Sequence, residues 1–262
     1  MTSPGSDQTF FFQAADAYET FMGRYSRPLA DEFARAAGVA AGERVLDVGC
    51  GTGALATVLA GIVGPEHLAG SDPSEPFVEE CRRSVPGAEF RVAPAEALPF
   101  GDGEFDVTLA QLVFHFVGDQ AAGVREMARV TRPGGRVSAC VWDFTGGMTM
   151  LASFWASARE VDPDAPDEVG RFGGKPGELG GLWREAGLRD VVDGVLTASA
   201  EYRDFDELWD SFLLRVGPAG TYAAGLEGEK LDAVRGAFHR RIGSPDGPFE
   251  LTARAWFALG VV

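Results

Sequence analysis

Short apolar runs alternate with helically spaced stretches along the middle third of the chain. Residues 44–48 (RVLDV), 67–71, 89–93, 105–111 (FDVTLAQ) and 136–142 read as strands, because their apolar positions are contiguous and bounded by turn-forming residues. Residues 54–63, 76–84 and 119–130 read as helices between them, with Asp119 as the N-cap of the last. RPGG at 132–135 reads as the turn into the fifth strand. Five strands separated by helices predict an α/β protein with a parallel, doubly wound sheet covered on both faces.

The flanks follow other periods. Residues 1–9 read as a disordered tip, and 10–25 as a helix with Phe11, Ala14, Ala15, Tyr18, Phe21 and Met22 on one face. Pro28 is expected to open a second helix that Gly42 ends. Beyond Asp143, residues 151–160 and 179–186 read as helices, and 191–200 and 249–260 have strand composition. The helical stretch between these two strands, 205–242, is long for a connection and predicts a cap. The expected organisation is one domain over 1–262, with a helical lid at 1–41, a core at 42–143, and cap helices plus two strands at 144–262.

Composition narrows the classes. Hydrophobic residues make up 45% of the 262, enough for a sizeable core, and no apolar run has the roughly 18 residues of a membrane span. The net charge of −16 opposes broad contact with phosphate backbones, so nucleic acid is not an expected partner. Cys50, Cys81 and Cys140 lie far apart without metal-ligand spacing, which predicts neither a disulfide framework nor a metal site. The N-terminus lacks the basic stretch of a secretory signal, so a soluble, cytoplasmic protein is expected. The oligomeric state is not legible.

The candidate chemistry begins at residues 45–53, VLDVGCGTG. Gly49, Gly51 and Gly53 follow a strand and precede a helix. Without Cβ atoms they allow a sharp turn and close approach of backbone to ligand, at a helix end rich in unpaired N–H groups. Asp72 ends the second strand, 19 residues after Gly53, where an acid can accept from ribose hydroxyls. The pair indicates a nucleoside-containing cofactor. The order is GxGxG rather than GxGxxG, and Asp47 sits two residues before the first glycine. A carboxylate there repels a pyrophosphate and suits an ammonium, which favours S-adenosyl-L-methionine over a dinucleotide.

These segments resemble the class I S-adenosylmethionine-dependent methyltransferases, in the broad group that includes the ubiquinone/menaquinone C-methyltransferases. Five motifs stand in order between 44 and 142: VLDVGCGTG, SDPSEPFVEEC, AEALPFGDGEFD, LAQLVFHFV and REMARVTRPGGRV. The resemblance implies a Rossmann-like sheet of seven strands whose last strand is antiparallel. It implies that Asp47, Gly49, Gly51 and Gly53 line the cofactor's methionine end; Cys50, counted with this cofactor-binding loop, reads as a small apolar filler rather than a nucleophile. Asp72 would hold the ribose, Pro73 would lie beside the adenine, and Ala95 and Glu96 would border its edge. Gln111 and Leu112 would lie near the transferable methyl. Many relatives carry an aspartate where this chain has Pro94, which leaves the adenine amino group to Glu96, backbone or water. Tyr18 and Arg24, in YETFMGRYS, would close over the cofactor, Arg24 meeting its carboxylate.

His115, just past the fourth strand, is the candidate general base; Asp143 reads rather as a turn cap. His67 and His239 read as structural or solvated. Aromatic and methionine residues, among them Phe12, Trp142, Phe144, Met148, Trp155 and Trp209, suggest an apolar small-molecule acceptor, aromatic or polyketide-like. Two other readings stay open: a cofactor-binding protein without transfer, and a nicotinamide-dependent oxidoreductase. Binding is legible here; turnover and the acceptor atom are not.

Overall fold

In a computed structural model, residues 15–262 are described, with side chains from 17 onward. The expected tip at 1–9, the start of the first helix, and Phe11 and Phe12 lie outside the described residues. The order is α1 (Ala15–Tyr18), a π-helical turn (Glu19–Gly23), α2 (Arg24–Ala36), β1 (Val45–Val48), α3 (Ala54–Val63), β2 (Leu68–Asp72), α4 (Glu75–Ser84) and β3 (Glu89–Val92). There follow β4 (Phe105–Gln111), α5 (Gln120–Val130), β5 (Thr131–Trp142), α6 (Thr149–Val161), α7 (Glu178–Glu185) and β6 (Arg189–Tyr202). The chain ends with α8 (Phe205–Leu213), α9 (Gly217–Ala223), α10 (Gly228–Arg241) and β7 (Phe249–Val261).

The seven strands lie in the order β3-β2-β1-β4-β5-β7-β6. The neighbours from β3 to β5 pair in parallel, and β7 pairs antiparallel to β5. This is the expected seven-stranded Rossmann-like sheet with an antiparallel last strand. The strand order reverses beside β1, so the carboxyl ends of β1 and β4 flank the crevice where such sheets take ligands.

The chain divides into two compact units. One, the sheet unit, comprises 26–142, 172–197 and 255–262; the other, the helical unit, comprises residues up to 25, 143–171 and 198–254. The expected boundaries differ, since residues 26–41 belong with the sheet and not with a lid. The reason is local: Arg136 on β5 donates to the Ala37 and Gly38 carbonyls and pairs with Glu43 at 2.8 Å, tying the end of α2 to the sheet.

In the sheet unit, Leu46, Val48, Phe105, Phe114, Val137 and Trp183 belong to one apolar cluster. The indole N–H of Trp183 donates to the Val137 carbonyl at 3.0 Å, so a large ring is buried without an orphaned donor. The helical unit has an aromatic core of its own. Phe154 stacks on Phe212 with centroids 4.4 Å apart, and Phe238 meets both edge-on. The expected insertion at 205–242 is resolved into α8, α9 and α10.

Three local expectations are corrected. Pro28 does not open a helix but lies within the first turns of α2, where its missing N–H leaves the Arg24 carbonyl without its helical donor. His67 does not begin a strand; it ends a short 3-10 turn, and β2 starts at Leu68. RPGG is not a turn before β5 but part of it, entered through a register shift opposite Phe105 and Val107, with Gly134 at φ +77°.

Candidate functional site

The site grows from the register of three parallel strands. Asp47 on β1 is level with Gly70 on β2 and Leu109 on β4. Side chains alternate along a strand, so Asp72 and Gln111, each two residues further on, share the face of Asp47. The glycine loop follows directly. Gly49, Gly51 and Gly53 all have positive φ, at +71°, +53° and +93°. A Cβ on Gly49 would stand 2.4 Å from Val113 Cγ2, whereas one on Gly51 would meet nothing within 4 Å. The first glycine is required by packing, and the second faces open space.

Asp72 orders this loop. One carboxylate oxygen accepts from the Gly51 N–H at 3.0 Å and the other from the Ser74 N–H at 2.9 Å. Burial nonetheless outweighs these bonds and pushes its pKa up to about 6. Asp47 is 1% exposed, and neither of its oxygens has a hydrogen-bond partner among the described residues. Burial, and then the charge of Asp72, raise it to about 8; the Ala56 amide offsets part of this without reaching hydrogen-bond geometry.

Six buried side-chain atoms lack a partner among the described residues: both oxygens of Asp47, Oε1 of Gln111, and the hydroxyls of Ser26, Ser71 and Ser74. All lie in the sheet unit, and Asp47, Ser71, Ser74 and Gln111 lie on β1, β2 and β4 or at their carboxyl ends. Each such atom costs about 1–3 kcal/mol unless a ligand or water satisfies it. Those of Asp47 and Gln111, on the sheet face they share with Asp72, mark a binding site at the carboxyl ends of β1 and β4. A cation with several N–H donors suits the acceptors on Asp47, and the lone pairs left on Asp72 suit a diol. These residues therefore fit S-adenosylmethionine, with its ammonium and its ribose.

The other expected residues fall as follows. Cys50 is buried in the loop, and its thiol is pushed up by the Cys81 thiol and by burial, so it is a filler and not a nucleophile. Pro73 is exposed beside Asp72, and Ala95 is buried. Glu96 accepts from the Gly118 and Asp119 N–H groups at 2.9 and 3.4 Å and so braces the loop leading into α5. Leu112 turns the chain at the end of β4 with φ +63°, a left-handed conformation costing a leucine about 1–2 kcal/mol. Its N–H is fixed by the Cys140 carbonyl at 2.8 Å.

Tyr18 is half-buried in the helical unit. Arg24, also there, is engaged through every guanidinium nitrogen: Nη2 pairs with Glu207 at 3.0 Å, Nη1 donates to the Glu201 carbonyl and Nε to that of Thr20. Its plane lies 4.5 Å over the Tyr202 ring. Its charge is thus matched within its own unit.

His115, the candidate base, is hydrogen-bonded at both ring nitrogens. Nε2 accepts the Trp142 backbone N–H at 2.9 Å, and Nδ1 faces the Phe172 carbonyl at 3.0 Å. With the Trp142 N–H directed at Nε2, the lone pair a base would use is already engaged. His115 is a brace in this geometry. Asp143 caps its turn as expected, accepting from the N–H and hydroxyl of Thr145, with Arg254 as its ion-pair partner. Burial pushes Asp143 up, but those bonds hold it below the usual carboxylate range. The residues after it line a cavity of about 180 Å³ in the helical unit, walled by Phe144, Met148, Leu151, Trp155 and Val169, with Arg159, Asp167 and Glu168 as its charged members. Among the described residues no cluster has metal-ligand composition, and no helix is long and apolar enough to cross a membrane.

A GxGxG loop in a seven-stranded sheet with a reversed last strand, over a buried unpaired aspartate, defines a class I S-adenosylmethionine-dependent methyltransferase. Comparison with known proteins agrees. Residues 46–139 match the model of the methyltransferase domain. The chain is 32% identical over 207 residues to the uncharacterized protein Rv1405c of Mycobacterium tuberculosis, covering 73% of this chain and 70% of that one. A demethylmenaquinone methyltransferase of Clavibacter sepedonicus is 38% identical over 109 residues, 40% of this chain and 44% of the relative. A solved structure of a type II methyltransferase from Anaeromyxobacter dehalogenans, so described provisionally, superposes with a TM-score of 0.62 at 22% identity, over 90% of this chain and 96% of that one. The chain belongs to the methyltransferase-domain family, and S-adenosylmethionine is its cofactor.

Proposed function

We propose that this enzyme methylates an apolar small molecule, and we read that class from the cavity beside Trp155 in the helical unit. The cavity carries the reading. Phe144, Met148, Leu151, Trp155 and Val169 give its wall an apolar part beside the polar Thr145, Arg159, Asp167 and Glu168, and about 180 Å³ is close to the ~150 Å³ that admits benzene. An aromatic or polyketide-like acceptor carries rings of that size. Glu168 supplies a polar point in the wall: it is buried, and its carboxylate accepts the Trp155 indole N–H at 3.0 Å.

S-adenosylmethionine supplies a sulfonium-activated methyl group, so the chain's own task is to align the partners and exclude water. Asp47 takes the ammonium and Asp72 the ribose hydroxyls, while the bare Gly51 leaves room for the ligand. His115 holds the ends of β4 and β5 together and takes no proton. Asp143 keeps the start of the cavity-lining segment folded through Thr145 and Arg254.

The test is a panel of hydroxylated and amino-substituted monocyclic and bicyclic compounds, scored by release of S-adenosylhomocysteine. Turnover is expected with acceptors bearing one unencumbered ring, and Leu151→Trp, which fills the cavity, should raise KM at least tenfold. Turnover confined to acyclic or strongly charged acceptors, or indifference to Leu151→Trp, would overturn the acceptor class and leave the cofactor assignment standing.

A further inference from the structure

Two of the unpaired atoms belong to residues that touch each other, and one of those residues carries no recognisable motif. Gln111 Nε2 donates to the Ser26 backbone carbonyl at 2.9 Å. That bond fixes the amide, so the free end of Gln111 is its oxygen, an acceptor only. Gln111 Oε1 is buried without a partner among the described residues, and so is the Ser26 hydroxyl, in a residue 3% exposed. Ser26 comes from the start of α2, 85 residues from Gln111 in sequence, yet belongs to the same sheet unit. Gln111 shares its strand face with Asp47, and both stand on the β4 side of Asp72. A ligand whose ribose is held at β2 therefore extends its other end over β1 toward Gln111 and Ser26.

We propose that Gln111 and Ser26 complete a clamp for the amino-acid end of the cofactor: Gln111 Oε1 accepts from the ammonium together with Asp47, and the Ser26 hydroxyl donates to the carboxylate. The inference rests on the cofactor being S-adenosylmethionine. An ammonium has three N–H donors, which one aspartate does not exhaust, and a carboxylate needs donors that Asp47 and Gln111 Oε1 cannot provide. Arg24, the neighbouring cation in sequence, is matched by Glu207 and leaves that task to a neutral donor. Ser26 is thus a cofactor-specificity residue: it separates donors with an intact amino-acid end from truncated nucleosides.

Calorimetric titration of the full-length protein with three compounds tests this. S-adenosylhomocysteine carries both charged groups, its decarboxylated form keeps only the ammonium, and 5′-methylthioadenosine has neither. Ser26→Ala is expected to weaken S-adenosylhomocysteine about tenfold, as for one lost hydrogen bond to a charge, and to leave the other two unchanged. Gln111→Leu is expected to weaken both ammonium-bearing compounds about tenfold and to spare 5′-methylthioadenosine. Unaltered binding of the nucleoside also reports that each variant is folded; Gln111→Met, closer in shape, should repeat the pattern. Variants that weaken all three compounds alike, or that leave S-adenosylhomocysteine unchanged, overturn the clamp while wild-type binding keeps the cofactor assignment. If the wild type binds none of the three, the assignment and the clamp fall together.

Discussion

The imidazole of His115 joins the carboxyl ends of β4 and β5, taking the Trp142 N–H at 2.9 Å on Nε2. Its other nitrogen faces Phe172 across a separate segment of the same unit. A side chain placed for proton transfer is here committed to holding two strand ends and a loop in register.

His115→Ala should therefore lower stability by about 1–3 kcal/mol, since it strands a buried N–H and a carbonyl. That corresponds to a fall in Tm of about 2–4 °C per kcal/mol for a chain of this size. Once an acceptor is known, kcat should fall modestly with the shape of the pH–rate profile unchanged. Loss of one limb of that profile would restore the histidine as a base.

Asp47 gives a proton signature. In the empty protein its pKa is pushed up to about 8 by burial and by Asp72, so near pH 7 it is largely protonated. A bound ammonium favours the ionised form, so binding S-adenosylhomocysteine should release close to one proton at pH 7 and less above pH 9. Calorimetry in buffers of different ionisation enthalpy measures this directly. Asp47→Asn should abolish the release and weaken binding about 10- to 100-fold.

The same residue sets a pH trend in stability. A carboxylate raised in the folded state contributes stability that is fully present below the unfolded value near 4 and is lost as pH rises through its folded value. For Asp72 and Asp47 that loss falls between about pH 4 and the folded values of about 6 and about 8. Ligand-free Asp47→Asn should melt above the wild type, by a margin that widens from pH 5 to pH 9. A constant or shrinking margin would contradict the buried, unpaired carboxylate.

The two glycines of the loop should fail differently. Gly49→Ala drives a Cβ against Val113 at 2.4 Å and should cost folding, with partial rescue by Val113→Ala. Gly51→Ala meets no protein atom within 4 Å, so its fold cost is the left-handed φ alone, about 1–2 kcal/mol. Its Cβ enters the space left for the cofactor, and binding of S-adenosylhomocysteine should fall more than tenfold. Equal melting and binding losses in both variants would refute the distinction.

How far the sequence reaches depends on how local each feature is. Helix α3 and strand β4 have the bounds expected from their apolar runs, because glycine or acidic turns frame both. The loop glycines and Asp72 were legible because their chemistry lies within one βαβ unit. Features made by distant partners were not. Arg24 is held by Glu207, 183 residues away, and His115 by Trp142, 27 residues on. No periodicity reports such pairings, so the partners that hold Arg24 and His115 could not be read from the sequence. Ser26 left no trace at all, since a lone serine two residues before Pro28 looks like a helix start. The division of the chain was also hidden, because each unit is assembled from three separated segments.

The unpaired acceptors around Asp47 tie the protein's durability to its supply of cofactor. A ligand that satisfies them stabilises the folded chain by mass action, about 2.7 kcal/mol at a hundredfold excess over Kd, and thins the opened population that proteases cut. The spent product keeps the ammonium and the ribose of the donor, so it protects the chain through the same contacts. A cell rich in either molecule should hold more of this enzyme at equal synthesis, and the ratio of the two would set how much of that stock stands ready to react.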